Sequence, residues 1–178
     1  MRTTVPTRIE DVKDPVGRTG WPKDKGRDGE RTPMQWDKAA NAGFSNASKT
    51  WLPVPPSAAQ YNVAAERYDP NSIFNFYKHL IALRREISAL RDGSYVSINR
   101  DDPNVLAYLR RAKNGTDPVL VALNMSSQPQ TVNFSLTGFG IGGKKLHALL
   151  ASPQPANADS GLTGVKLEPF GVLVASVE

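Results

Sequence analysis

Residues 1–68 carry no sustained repeat of apolar positions, at a period of 3.6 or of 2, so they predict loops rather than helices or strands. Gly, Pro, Asp and Asn recur throughout this stretch. A segment this long without regular structure is either disordered or a set of long loops draped over a scaffold. Trp21, Trp36, Phe44, Trp51, Tyr61 and Tyr68 favour draping, because disordered segments are poor in aromatics. The pattern then changes abruptly. Asp69-Pro70 reads as a helix cap followed by proline at the first helical position, where its missing N–H costs nothing. Ile73, Phe76, Tyr77, Leu80, Leu83, Ile87 and Leu90 recur at three- and four-residue steps, which predicts a helix over 70–90 with one buried face. Lys78, Arg84, Arg85 and Arg91 fall off that face, and Gly93 is expected to end the helix. So long an apolar face needs something large to pack on.

After Gly93 the apolar residues come in short runs bounded by turn chemistry. Strands are predicted at 94–99, 105–111, 119–124, 131–136, 145–150, 165–167 and 171–177. Asn114-Gly115 is a hairpin signal, and Asp101-Asp102-Pro103-Asn104 and Glu168-Pro169-Phe170 read as turns. Tyr95, Tyr108 and Phe134 are expected in the core of the resulting antiparallel sandwich. The fold class is therefore mostly β, and the division is expected at residues 1–92 and 93–178.

Composition trims the list of functions. At 178 residues, with 39% hydrophobic and 22% charged residues, the chain can bury one core. No run approaches the roughly 18 apolar residues that span a bilayer, so no membrane partner is expected. The absence of cysteine excludes thiolate chemistry, disulfides and Cys-based zinc sites. No metal-ligand cluster or cofactor motif occurs, and none is expected. The net charge of +5 suggests nucleic acid, but Lys23, Lys25, Arg27 and Arg31 alternate with Asp24, Asp28 and Glu30. A phosphate-binding stripe would be nearly free of acids, so nucleic-acid binding is not expected. The sequons at Asn46, Asn114, Asn124 and Asn133 read as chance matches. The compartment stays open, with the cytoplasm favoured.

The densest chemistry lies in Gly26-Arg27-Asp28-Gly29-Glu30-Arg31-Thr32-Pro33-Met34-Gln35-Trp36-Asp37. Two arginines four residues apart, two acids and a tryptophan share a segment that Gly and Pro keep irregular. Trp36 is expected to anchor this loop by burying its ring. The loop, followed by Asn41-Ala42-Gly43-Phe44-Ser45, Trp51-Leu52-Pro53-Val54, Tyr61-Asn62-Val63 and Asn71-Ser72-Ile73-Phe74-Asn75-Phe76-Tyr77-Lys78, resembles the C-terminal third of an α-glucosidase of glycoside hydrolase family 13, in the α-amylase superfamily. The resemblance covers essentially the whole chain. It implies that residues 1–92 are a remnant of a (β/α)8 barrel, the long loop after strand 8 and helix 8, and that 93–178 form the C-terminal β-domain. Met1 then corresponds to an internal methionine.

On the same resemblance, Arg27 and Arg31 are the expected substrate-binding residues, Arg27 at the closed end of a glucose pocket and Arg31 near the neighbouring sugar. No catalytic residue is expected here. The family's nucleophile and acid/base lie on earlier barrel strands, whereas Glu10-Asp11, Asp28/Glu30 and Asp101-Asp102 read as solvated or capping acids. Retaining hydrolysis needs two carboxyls about 5–5.5 Å apart. The implied function is that of part of a retaining α-glucosidase acting on short oligosaccharides, inactive on its own and self-associating through the bare helix face. The alternatives are a stand-alone β-sandwich that binds sugar or a partner, and a fragment of a trehalose synthase or sucrose isomerase.

Overall fold

The computed structural model describes residues 5–113, 118–141, 145–153 and 159–178. Met1, the Asn114 sequon and the Asn114-Gly115 turn lie outside them. The chain divides into two compact units, Met1–Tyr77 and Lys78–Glu178.

The first unit is neither disordered nor a plain run of loops. It contains helices α1 (Pro15–Gly20) and α2 (Val63–Tyr68), with 3-10 turns at Ile9–Asp11, Asp28–Glu30, Ala40–Gly43 and Pro56–Ala59. These pieces are too short to announce themselves by periodicity, and side-chain caps define them. Asp14 Oδ1 accepts from Val16 N–H at 3.0 Å and opens α1, with Pro15 at the first helical position. Asn62, itself buried, accepts from Ala65 N–H at 2.9 Å and opens α2. Among the described residues, the buried apolar side chains of this unit are few and mostly small: Val12, Pro33, Ala42, Leu52, Pro55 and Ala58. Most of the aromatics expected to pack on a scaffold stay in solvent, Tyr68 at 90% exposed and Trp51 at 79%, while Trp21 is half-buried. Backbone and capping hydrogen bonds therefore order this unit more than apolar burial does.

The long helix differs from expectation at both ends. Asp69 does not open it; Asp69 is the C-cap of α2, and Ser72 Oγ accepts from Asn75 N–H at 3.1 Å to start α3 (Ile73–Glu86). Asn75 Nδ2 ties the junction by donating to the Asp69 and Glu66 carbonyls at 2.8 and 3.0 Å. Ile87 is extended, so the helix breaks there and resumes as α4 (Ser88–Asp92). Two arginines satisfy carbonyls around that break. Arg84 donates to Leu90 O at 2.7 Å, and Arg91 donates to Arg85 O at 2.9 Å. Gly93 does end the helix, but with ordinary φ of −67°; glycine is needed because a Cβ would lie 2.6 Å from the Arg111 carbonyl oxygen. The expected face forms only in part: Phe76, Leu80, Leu83, Ile87 and Leu90 are half-buried, whereas Ile73 and Tyr77, and Ile81 beside them, are 70%, 60% and 56% exposed, and α3 holds no fully buried residue.

The second unit carries an antiparallel sandwich. Strands β1 (Ser94–Ser97), β2 (Val105–Arg111), β3 (Val119–Asn124), β5 (Lys145–Ser152), β6 (Asp159–Gly161) and β8 (Val172–Val177) form one sheet in the order β1-β2-β3-β8-β5-β6. Strands β4 (Gln130–Val132) and β7 (Val165–Leu167) pair as a second. Period-2 alternation sends Val105, Ala107 and Leu109 of β2, Leu120 and Ala122 of β3, and Leu173, Ala175 and Val177 of β8 into one core. Val165 and Leu167 of β7, with Val132, Phe134 and Leu136, close it from the other side. The expected strand over 131–136 stops at Val132, yet Phe134 and Leu136 still point inward. Phe134 is core, as expected. Tyr95 and Tyr108 are not; their rings meet on the outer face at 5.0 Å, with Tyr95 56% exposed. They occupy the alternate positions, paired in register with Arg110 and Ser97, while Val96 and Leu109 pair on the core face. No described helix is long and apolar enough to cross a membrane.

Candidate functional site

The Gly26–Asp37 loop is held by two carboxylates at its first end. Asp28 Oδ2 accepts the backbone N–H groups of Lys13 and Asp14, at 2.5 and 3.0 Å. Asp14 Oδ2 accepts the N–H of Arg27 at 3.0 Å. Gly26 lets the two strands of chain touch: its φ is +69°, and a Cβ would lie 2.9 Å from both Asp14 Cβ and the Gly17 nitrogen. The 3-10 turn at Asp28–Glu30 then brings Arg31 back over Arg27, through Glu30 N–H to Arg27 O at 3.0 Å and Arg31 N–H to Asp28 O at 3.2 Å.

Both guanidinium groups therefore face one oxygen. Arg27 Nε lies 3.7 Å, and Arg31 Nη1 3.9 Å, from Asp14 Oδ2. These are ion-pair distances, beyond hydrogen-bonding range, so the donor forks are steered but not consumed. The arginine side chains stay 62% and 52% exposed, above an Asp14 side chain that is 3% exposed. The Arg27 and Val16 N–H groups hold the Asp14 carboxyl below its usual pKa, with the Arg31 and Arg27 charges adding and burial opposing. The arrangement is a fixed anion carrying two cations with free donors toward solvent. Such a pair suits hydroxyl oxygens of a sugar or a second carboxylate.

The loop's other end is secured by its backbone. Trp36 N–H donates to Ala42 O at 2.9 Å, while Gln35 O and Trp36 O accept from Val63 and Ala64 N–H at 3.0 and 2.9 Å. Ala42 reaches this position because Asn41 and Ala42 take left-handed φ of 52° and 56°, with Asn41 Nδ2 donating to Ala47 O at 2.7 Å. The Trp36 ring does not bury as expected. It is 49% exposed, and the buried side chain at this end is Gln35, whose Nε2 finds no partner among the described residues.

Asp14 is the site residue that sequence reasoning missed. The signal was present: Asp14-Pro15 is the same cap-and-proline pair read at Asp69-Pro70, and here it is realised. The acidic pairs have local duties. Glu10 and Asp11 both pair with Arg8, at 3.3 and 2.9 Å. Asp102 Oδ1 accepts from Asn104 and Val105 N–H at 2.9 Å each. Among the described residues no group of three or more His, Asp or Glu side chains could hold a metal.

Residues 4–93 match the family model of the α-amylase catalytic domain, and residues 95–174 that of the maltogenic amylase C-terminal domain. An oligo-1,6-glucosidase from Parageobacillus thermoglucosidasius is 38% identical over 153 residues, covering 86% of this chain and 26% of that protein. A glucan 1,6-alpha-glucosidase from Streptococcus dysgalactiae subsp. equisimilis is 42% identical over 113 residues, 64% of this chain and 20% of that protein. Among solved structures, the trehalulose synthase MutB from Pseudomonas mesoacidophila MX-45 superposes with a TM-score of 0.80 at 29% identity, over 99% of this chain and 33% of that one. The chain thus spans about a quarter of the length of the curated relatives it matches.

Proposed function

The chain belongs to the α-amylase family of glycoside hydrolases, and on that premise we propose that it forms the C-terminal part of a retaining α-glucosidase releasing terminal α-linked glucose from short oligosaccharides. One observation carries this reading: the 38% identity to an oligo-1,6-glucosidase extends over 86% of the chain and includes the loop whose two arginines converge on Asp14. In it, residues 1–92 complete a barrel and 93–178 are its β-domain. Arg27 and Arg31 grip sugar hydroxyls with the donors that Asp14 leaves free. Asp14 orients both side chains and compensates their charge without meeting the sugar.

We infer that the chain alone supplies no pair of carboxyls set for hydrolysis. Among the described residues the buried carboxylates are Asp14 and Asp28, and both are engaged by backbone N–H groups. The purified chain therefore releases no glucose from isomaltose or maltose. Fused in frame behind the upstream barrel of the Parageobacillus relative, it restores hydrolysis with retention of the α-anomer. Glucose release by the chain alone above a heat-killed control would overturn its inactivity, and a folded but inactive fusion would overturn its place in the enzyme. Without a barrel the exposed face of α3 drives self-association. The similarity to trehalulose synthase favours a second reading, a fragment of a sugar-isomerising enzyme; formation of an isomerised disaccharide from sucrose by the same fusion separates the two.

A further inference from the structure

The six-stranded sheet of the second unit carries apolar residues on both faces. Its inner face is the sandwich core. On the outer face Leu106, Leu123 and Val172 stand in register across β2, β3 and β8, and Tyr108, Val121 and Val174 form the next row. That second row is mostly closed, with Val121 and Val174 buried. α4 lies on the same side of the sheet: the Arg110 side chain, two positions along β2 from Tyr108, donates through Nε to the carbonyl of the buried Ala89 at 3.3 Å. The first row is open. Leu106 is 42% exposed, and Leu123 and Val172 are half-buried. Met125, the next outward position after Leu123, is 64% exposed, although its N–H is fixed to Asn104 O at 2.7 Å.

Phe170 borders this row, through its N–H to Ser126 O at 3.0 Å, and its backbone is strained. The turn Glu168-Pro169-Phe170-Gly171 closes through Gly171 N–H to Glu168 O at 2.7 Å and sets Phe170 at φ +53°, where glycine or asparagine is the ordinary occupant. The ring is nonetheless 67% exposed, so burial among the described residues does not offset that cost. A fixed aromatic beside a methionine and a leucine has the make-up of a protein-contact anchor. The neighbouring cover says which protein. α4 lies in the stretch that matches the α-amylase catalytic domain, and β2 and β3 lie in the stretch that matches the C-terminal domain. The outer face thus already meets catalytic-domain chain at α4, and the open row continues that interface. Most of each curated relative's length lies outside the match.

The geometry points to this open row as the seat of the upstream part of the catalytic domain, with Phe170 as its anchor and Met125 and Leu106 around it. The inference rests on the reading of the chain as the C-terminal part of a longer enzyme. Its test compares the chain alone with the barrel fusion. Peroxide oxidation of Met125, followed by mass spectrometry of its peptide, is expected to be several-fold slower in the fusion. Phe170→Asn relieves the left-handed backbone, so the melting midpoint of the chain alone should hold or rise while that of the fusion falls by several degrees. Leu106→Thr, on an exposed strand position, repeats the contrast without touching the turn. Equal oxidation rates in the two proteins, or equal midpoint shifts in both for each variant, would overturn the seat. Loss of self-association by the Phe170→Asn chain, with the fusion unaffected, would hand the row to a second copy and overturn it as well. A fusion protected at Met125 that hydrolyses nothing would overturn the functional reading and support this one.

Discussion

Asp14 and Asp28 brace each other's segments: the N–H of Asp14 donates to Asp28 Oδ2 at 3.0 Å, and the N–H of Arg27, next to Asp28, donates back to Asp14 Oδ2 at 3.0 Å. This polar knot stands where a larger unit would have an apolar core. Asp28→Ala leaves the Lys13 and Asp14 N–H groups without acceptors, a cost of about 1–3 kcal/mol. The expected result is a thermal midpoint lower by about 2–4 °C for each kcal/mol lost. A midpoint unchanged in differential scanning calorimetry would show that the knot is dispensable.

The same bonds set a pH limit. The carboxyls of Asp14, Asp11 and Asp102 all lie below the usual range, through the Arg27 N–H, the Arg8 side chain and the Asn104 N–H respectively. A carboxyl depressed in the folded state binds fewer protons there than in the unfolded chain. Its contribution is complete above the ordinary Asp value of about 3.9 and is lost as pH falls through the folded value. Stability is therefore expected to be level from neutral pH down to about pH 5 and to fall below about pH 4. Urea midpoints between pH 2.5 and 7 measure this, and Asp102→Asn should flatten the acid limb.

In the barrel fusion, the two arginines separate binding from loop architecture. Each guanidinium that hydrogen-bonds substrate contributes about 1.5–3 kcal/mol, so Arg27→Ala and Arg31→Ala are each expected to lower kcat/KM by roughly 10- to 100-fold. Their ion pairs with the buried Asp14 are long, and Asp14 keeps the Arg27 and Val16 N–H groups as partners, so the melting temperature should move little. A large loss of stability with little loss of kcat/KM would reverse the assignment and make them loop ties.

The β-domain was almost wholly legible in the chain, because period-2 alternation and turn residues are local signals and the sandwich satisfies them internally. Only β6, three residues long, escaped them. The first unit was legible in its motif and not in its structure. Its helices of six residues show no periodicity, and the residue that organises its arginines, Asp14, acts across 13 and 17 positions of chain. Sequence reading also assumed that apolar periodicity and aromatic content imply burial. For α3, Trp36 and Trp51 they mark surfaces that these residues do not themselves cover.

Asn124 tests the other unit. It is 2% exposed at the end of β3, where Nδ2 donates to Gln128 O at 2.7 Å and Glu168 O at 2.8 Å while Oδ1 accepts from Ser126 N–H at 2.9 Å. One side chain thus joins the start of the β3–β4 connection to the turn before β8. Asn124→Ala removes the bonds to several part-buried backbone groups and is expected to cost about 1–3 kcal/mol. Burial also closes this sequon to modification in the folded protein, so a eukaryotic host should glycosylate it only in misfolded chains, which a mobility shift on glycosidase treatment would reveal.

The last expectation concerns α3. Ile73, Tyr77 and Ile81 recur at four-residue steps, so they form one exposed stripe along the helix, at 70%, 60% and 56% exposure. Burying a large side chain of this kind yields about 1.5–3 kcal/mol, and three in a row outweigh the rotamer entropy lost on contact. Sedimentation velocity should show the chain associating as its concentration rises. Tyr77→Lys combined with Ile81→Glu removes two of the three contacts and opposes burial of the stripe, so the dissociation constant should rise by at least about tenfold. Neither position is buried, so circular dichroism should be unchanged. A wild-type chain that stays monomeric at the highest concentration reached, or a double variant that associates as strongly, would show that the stripe is not what joins the chains.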